Sequence, residues 1–209
     1  MPHLVLLGDS IFDNASYVPG RPPVIEQLRR ALSTDWRATL LAVDGHVIAD
    51  VPRQLERLPE DATHLAVSVG GNDALGSSWI LGQPVNSVAG GLTLLQEVRL
   101  GFREKYAAML GAVLATGRHA AVCTVYDRVP GLEPAELAAL SGFNEVILHE
   151  AFAARLAVVD LRLICNHASD FSHVSPIEPS AAGGLKISRV IAEWAAMHDV
   201  AAGRSVIYT

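Results

Sequence analysis

Three short apolar runs in this chain lead straight into small polar residues of the kind that carries chemistry. Leu4–Leu7 runs into Gly8-Asp9-Ser10. Thr39–Val43 runs into Asp44-Gly45-His46, and Leu65–Val69 into Gly70-Gly71-Asn72-Asp73. A serine on a sharp turn at the carboxyl end of a buried strand has its hydroxyl at the top of a sheet and its own N–H facing a reaction centre, as a nucleophile requires. The alternative is a plain turn, because Gly, Asp, Ser and Asn are common turn residues.

The elements that would position these residues are legible in the hydrophobic pattern. Leu4–Leu7, Thr39–Val43, Leu65–Val69, Ala120–Val125 and Val158–Leu161 are apolar at nearly every position, as strands buried on both faces should be. The stretches between them read as helices. Val24–Leu32 follows Pro22-Pro23, and Val51–Leu58 carries Pro52 in its first turn. Apolar residues from Leu95 to Val113 recur every three or four positions up to Gly117. Leu137–Ala151, with Asn144 in its apolar stripe, and Ile187–Met197 complete the set. Glu133 and Glu136 read as helix-start charge. Strand–helix alternation implies a parallel sheet covered on both faces, with ligands at the carboxyl ends of its strands. The insert Leu75–Leu94, with four Gly, three Ser and one Pro, is expected to be a long loop or lid.

Composition narrows the partners. At about 150 residues per domain, 209 residues are expected to form one domain over 1–209. Hydrophobic residues make up 50% and charged residues 18%, which provides for a full core. A formal net charge of −6 disfavours nucleic acid and anionic lipid surfaces. Cys123 and Cys165 lack metal-ligand spacing and read as small buried residues. No His, Cys or Asp cluster has metal spacing, and neither Gly90-Gly91 nor Gly183-Gly184 fits a phosphate loop. No apolar run reaches the ~18 residues of a membrane span, and no targeting segment is visible, so the expected location is cytoplasmic.

In order and spacing, Gly8-Asp9-Ser10, Gly45 and Gly70-Gly71-Asn72-Asp73 resemble the first three blocks of the SGNH/GDSL hydrolase family, and the resemblance covers essentially the whole chain. It implies a three-layer α/β/α sandwich around a flavodoxin-like, parallel five-stranded sheet. It implies that Ser10 attacks the carbonyl of a small-molecule acyl ester, without cofactor or metal. An oxyanion hole would come from the Ser10 N–H, the Gly45 N–H and the Asn72 side-chain amide. The physics agrees, since fixed neutral donors stabilise charge growing on a carbonyl oxygen, each worth about 10²–10³ in rate.

The fourth block departs from the family pattern of Asp-x-x-His followed by Pro and, further on, Gly. In one register Asp170 and His173 form the pair, with His173 as general base and Asp170 as its orienter; no Pro follows His173. In the other, Glu178-Pro179-Ser180-Ala181-Ala182-Gly183 overlays His-Pro-Ser-x-x-Gly. That places Glu178 at the histidine position and Ser175 at the aspartate position. Glu normally titrates near 4.3 and imidazole near 6.5, so Glu178 would need burial to serve as a base. A third arrangement has a longer loop carrying His173 into the site with Glu178 as its orienter, and a fourth has no working base. His173 is the expected base. His46 and His167 are secondary candidates for the site, Asp13, Asn14 and Tyr17 for the pocket, and Trp79 for an acyl-pocket wall. Ester hydrolysis is the expected activity; the alternatives are a non-catalytic acyl or sugar binder and an acyltransferase or thioesterase.

Overall fold

The structure, a computed structural model, describes residues 1–198 and 203–209. Strand and helix alternate as β1 (His3–Gly8), α1 (Val24–Ala31), β2 (Arg37–Leu40), α2 (Val51–Leu55), β3 (His64–Ser68), α3 (Gly71–Gly76), α4 (Val88–Ala115), β4 (His119–Cys123), α5 (Pro134–Ala153), β5 (Ala157–Val159), α6 (Leu161–Ile164), α7 (Ala181–Met197) and β6 (Ile207–Tyr208). The strands pair in parallel in the order β2-β1-β3-β4-β5-β6. The expected α/β/α architecture is present, with six strands in place of five. β6 is two residues long and carries no pattern of its own. Its place comes from tertiary hydrogen bonds, Val158 N–H to the Val206 carbonyl and Asp160 N–H to the Tyr208 carbonyl, both 2.9 Å.

Successive side chains of a strand point to opposite faces, so an all-apolar strand feeds two cores. Leu4 and Leu6 share one core with Leu28 of α1 and Ile187, Ile191 and Trp194 of α7. Val5 and Leu7 share the other with Val51 of α2, Phe102 and Tyr106 of α4 and Ile147 of α5. Cys123 and Cys165 are buried and unpaired in a disulfide. β2 begins and ends earlier than its apolar pattern suggests. Leu41 and Ala42 both donate to the Leu6 carbonyl, at 2.9 Å each, which interrupts the ladder before Asp44-Gly45.

The insert after β3 is not a loop. It consists of α3, a short 3-10 turn at Ser78–Gly82 and the first turns of α4. Glycines weaken helices by about 1 kcal/mol each. Here Ser87 caps α4 by accepting the Gly90 N–H at 3.0 Å, and the apolar stripe downstream carries the helix to 28 residues. The start of α5 is closed likewise, with the Glu136 carboxylate accepting the Glu133 N–H at 2.8 Å.

The end of β1 is the tightest point of the fold. Gly8 has φ +122°, and a Cβ there would overlap the Ser68 carbonyl of β3. Gln54 of α2 clamps this residue from the side. Its Oε1 accepts the Gly8 N–H and its Nε2 donates to the Gly8 carbonyl, both at 2.7 Å and buried. Replacing Gln54 by Leu keeps the volume and strands the Gly8 N–H. We expect a stability loss of about 1–3 kcal/mol, read as a lower urea midpoint with an unchanged slope. An unchanged midpoint would show that the clamp does not hold the turn.

Candidate active site

Ser10 sits at the tip of the turn that leaves β1. The Asp9 N–H donates to the Ser68 carbonyl at 3.0 Å. The Asp9 carbonyl accepts the Phe12 and Asp13 N–H groups at 3.2 and 3.1 Å, and its carboxyl accepts the Ile11 N–H at 3.1 Å. Asp9 thus closes the turn from both its backbone and its side chain, and Ser10 projects from it, 5% exposed. The Ser10 hydroxyl donates to Glu178 Oε1 at 2.9 Å.

Glu178 reaches Ser10 because the chain before it folds into a pinched excursion. Phe171 and Pro179 form an antiparallel bridge. Inside it the Ser172 N–H donates to the Glu178 carbonyl at 2.8 Å, and the Glu178 N–H to the Ser175 carbonyl at 3.0 Å. Tyr126 and Asn14 hold the excursion from outside, donating to the Ile177 carbonyl at 2.6 Å and the Pro179 carbonyl at 3.2 Å. Ser180 then caps α7, accepting the Ala182 and Gly183 N–H groups at 3.1 and 3.2 Å. Glu178 is 4% exposed, and its Oε2 has no partner. Burial raises its pKa to about 7, against the lowering effect of the Ser10 hydrogen bond and with some help from the Asp44 charge. Burial likewise pushes Asp9 up to about 8. The Ile11 N–H works against that rise, and the charges of Glu178 and Asp73 add to it. Among the described residues no ion pair involves either carboxyl.

The expected Asp170–His173 pair is not assembled. His173 lies in the excursion between the two bridge residues and is exposed to solvent; it has no hydrogen bond to Ser10 or Asp170. Asp170 is buried on the other side of the bridge. It pairs with Lys186 of α7 at 2.7 Å and accepts the His167 N–H at 3.0 Å. Its role there is to anchor the start of α7. The second register is the one the backbone supports. A Cβ at Gly183 would overlap the Asp170 carbonyl, so the glycine of Glu-Pro-Ser-Ala-Ala-Gly stands where close packing demands one. Ser175, the aspartate-position residue of that register, contributes its carbonyl to the Glu178 N–H. His167 is exposed.

Asn72, in the first turn of α3, donates through its amide to the His46 carbonyl at 2.9 Å, which ties it to the turn carrying Gly45. His46 accepts from Gln54 at 2.9 Å, so it is bound into the Gly8 clamp. Of the residues expected to shape the pocket, Asp13 accepts the Asp44 N–H and Tyr17 donates to Asp44. Beside Ser10 and Glu178 lies a cavity of about 130 Å³, walled by Val69, Leu81, Val98, Val125, Leu140 and Phe143, with Asp9, Asn72 and Glu136 among its polar lining residues. Trp79 is not part of that wall and is 63% exposed.

The model of the GDSL-like lipase/acylhydrolase family matches residues 6–184, which include the Ser10 turn, Asn72 and Glu178. The chain belongs to this family. This GDSL-family protein is an ester-hydrolysing enzyme. Its fold is that of the lipase Lip_vut3 from a goat rumen metagenome, at TM-score 0.70 and 19% identity over 94% of this chain and 97% of that one. An extracellular lipase from Streptomyces rimosus matches at TM-score 0.64 and 19% identity over 94% and 100%. The acetyl xylan esterase AlAXEase matches at TM-score 0.65 and 15% identity, again over 94% and 100%. No curated protein matches the chain. Among the described residues no helix is long and apolar enough to cross a membrane.

Three residues of this GDSL-family site carried only faint signals. Gln54 and Asn144 are polar residues at inward positions of helices. Asn144 uses both ends of its amide on the Val125 backbone, at 2.8 Å each, and so fixes the end of β4. Tyr126, one residue on, has no local pattern that points to the Ile177 carbonyl. The raised pKa of Glu178 also makes a statement about stability. The folded state favours the protonated acid, so the contribution is fully present below about 4.5 and is lost as the pH rises through about 7. Glu178→Gln should therefore match the parent near pH 4.5 and melt at a higher temperature at pH 8. Equal melting temperatures at both pH values would show that Glu178 ionises without penalty.

Proposed function

We propose that the chain hydrolyses carboxylic esters through an acyl-enzyme on Ser10, with Glu178 as the general base in the place a histidine usually holds. One observation carries this reading, the 2.9 Å hydrogen bond from the Ser10 hydroxyl to a buried carboxyl. A base is most useful when its pKa lies near the working pH. An ordinary glutamate is too weak, whereas one raised to about 7 has the basicity of an imidazole.

In this mechanism Glu178 Oε1 takes the Ser10 proton as Oγ bonds to the carbonyl carbon. The tetrahedral intermediate collapses, the bond to the alcohol oxygen breaks, and Glu178 returns the proton to the departing alcohol. Water then attacks the acyl-enzyme, giving its proton to Glu178; Ser10 leaves with that proton, and the carboxylic acid is released. The unpartnered Oε2 gives Glu178 a second acceptor for the water or the alcohol. The donors for the oxyanion are the N–H groups of Ser10 and Gly45, which have no partner among the described residues, and Asn72. The Asn72 amide has two N–H bonds and spends one on His46. Asp9, neutral below about 8, keeps a second negative charge away from the nucleophile.

Fluorophosphonate labelling followed by intact mass tests the assignment without a choice of substrate. One adduct is expected on the parent and none on Ser10→Ala. Glu178→Gln should label about 10²–10⁴ more slowly, and His173→Ala at the parent rate. The parent rate should rise with pH through about 7 as Glu178 loses its proton. Slow labelling of His173→Ala with normal labelling of Glu178→Gln would reverse the assignment. No adduct on the folded parent would favour a ligand-binding role.

A further inference from the structure

We infer that the cavity beside Ser10 is an acyl-chain site selecting linear acyl groups on the order of six carbons over acetyl groups. The inference rests on the reading that Ser10 is the nucleophile. Its ground is a mostly apolar lining that includes the reacting groups. Ser10 and Glu178, joined by their hydrogen bond, both line the cavity, as does Asn72. The rest of the wall is mostly aliphatic and aromatic, with Leu81 from the turn after α3, Leu95 and Val98 from α4, and Leu140 and Phe143 from α5; Ser77, Ser78 and Glu136 are among its polar members. Acetyl is too small to use such a wall, and a sugar would find few partners for its hydroxyls there.

Volume sets the length. An apolar cavity of roughly 150 Å³ takes one benzene ring, and this one measures about 130 Å³. Polarity sets which half of the ester enters. The deacylating water must reach the acyl carbon beside Glu178 after the alcohol has gone, so the alcohol belongs outside the apolar cavity, toward the polar Asp44–His46 turn, which Asn72 holds and which is not part of the cavity lining. The mostly apolar cavity is left for the acyl chain. Leu140 is the position that controls length. It projects from α5 into the cavity wall and is only partly buried, so a change of its size alters the free volume more than it disturbs the core.

The experiment compares kcat/KM across 4-nitrophenyl esters from acetate to dodecanoate, and separately across acetates of alcohols of rising length. Ser10 labelling is run on the same samples. Expected is a rise of about two- to fourfold per methylene to a maximum near hexanoate in the acyl series, and little trend in the alcohol series. Leu140→Phe should lower the hexanoate-to-acetate ratio about tenfold or more, and Leu140→Ala should move the maximum to longer chains. Opposite shifts from one position cannot come from poor folding, which melting curves check. Labelled Ser10 with a flat acyl series, or with acetate preferred, overturns the acyl site. A trend confined to the alcohol series overturns the placement of the two halves. An unlabelled Ser10 overturns the underlying reading and the site with it.

Discussion

A carboxyl group withheld from water is the constraint around which this site is built. Glu178 is nearly fully buried; among the described residues one oxygen of its carboxyl meets a neutral hydroxyl and the other has no partner. Asp9, immediately before that hydroxyl, is buried as well. Two carboxyls in one apolar setting, neither with a cation among the described residues, both hold their protons to higher pH than usual. A purely structural carboxyl at such a depth would be expected to have a lysine or arginine beside it, as Asp170 has Lys186. The contrast between these acids, all held near the start of α7 or the end of β1, separates a group that fastens the fold from the one proposed as the base.

Keeping such a group reactive requires a rigid surround, and the surround here is made of polar clamps on irregular backbone. Gln54 holds both backbone groups of Gly8, Asn144 both backbone groups of Val125, and Tyr126 the carbonyl just before Glu178. Each clamp reaches from a helix or a strand end to a segment that leaves the regular ladder. There a backbone N–H or C=O would otherwise be buried without a partner. The clamps are set by two cores, one on each face of the sheet. The geometry at Ser10 is therefore a consequence of how helices and strand ends meet at the carboxyl end of the sheet.

The fold and three of the four blocks were legible in the sequence because they are local. A strand buried on both faces is apolar at every position. A turn at its end needs Gly, Asp, Ser or Asn, and a helix shows its 3.6-residue stripe. The insert after β3 misled because its glycines suggested a loop, while a single serine cap and the stripe beyond residue 95 made it helix. The sixth strand was invisible because two residues have no periodicity.

What the sequence determined by itself was the parallel α/β sheet, the placing of Ser10, Gly45 and Asn72 at three strand ends, and the pair of possible registers in the last block. What only the tertiary structure decided was which register brings a side chain to Ser10. His173 and Glu178 lie five residues apart in one irregular segment, and no local preference distinguishes them. The choice falls to the Phe171–Pro179 bridge, the close approach of Gly183 to Asp170 and the grip of Tyr126 on Ile177. The last of these joins residues 51 apart in the chain, and the Ser10–Glu178 bond joins residues 168 apart. Single hydrogen bonds across such separations are too weak to offset the entropy of closing the loop between them, so they depend on the packing of both cores.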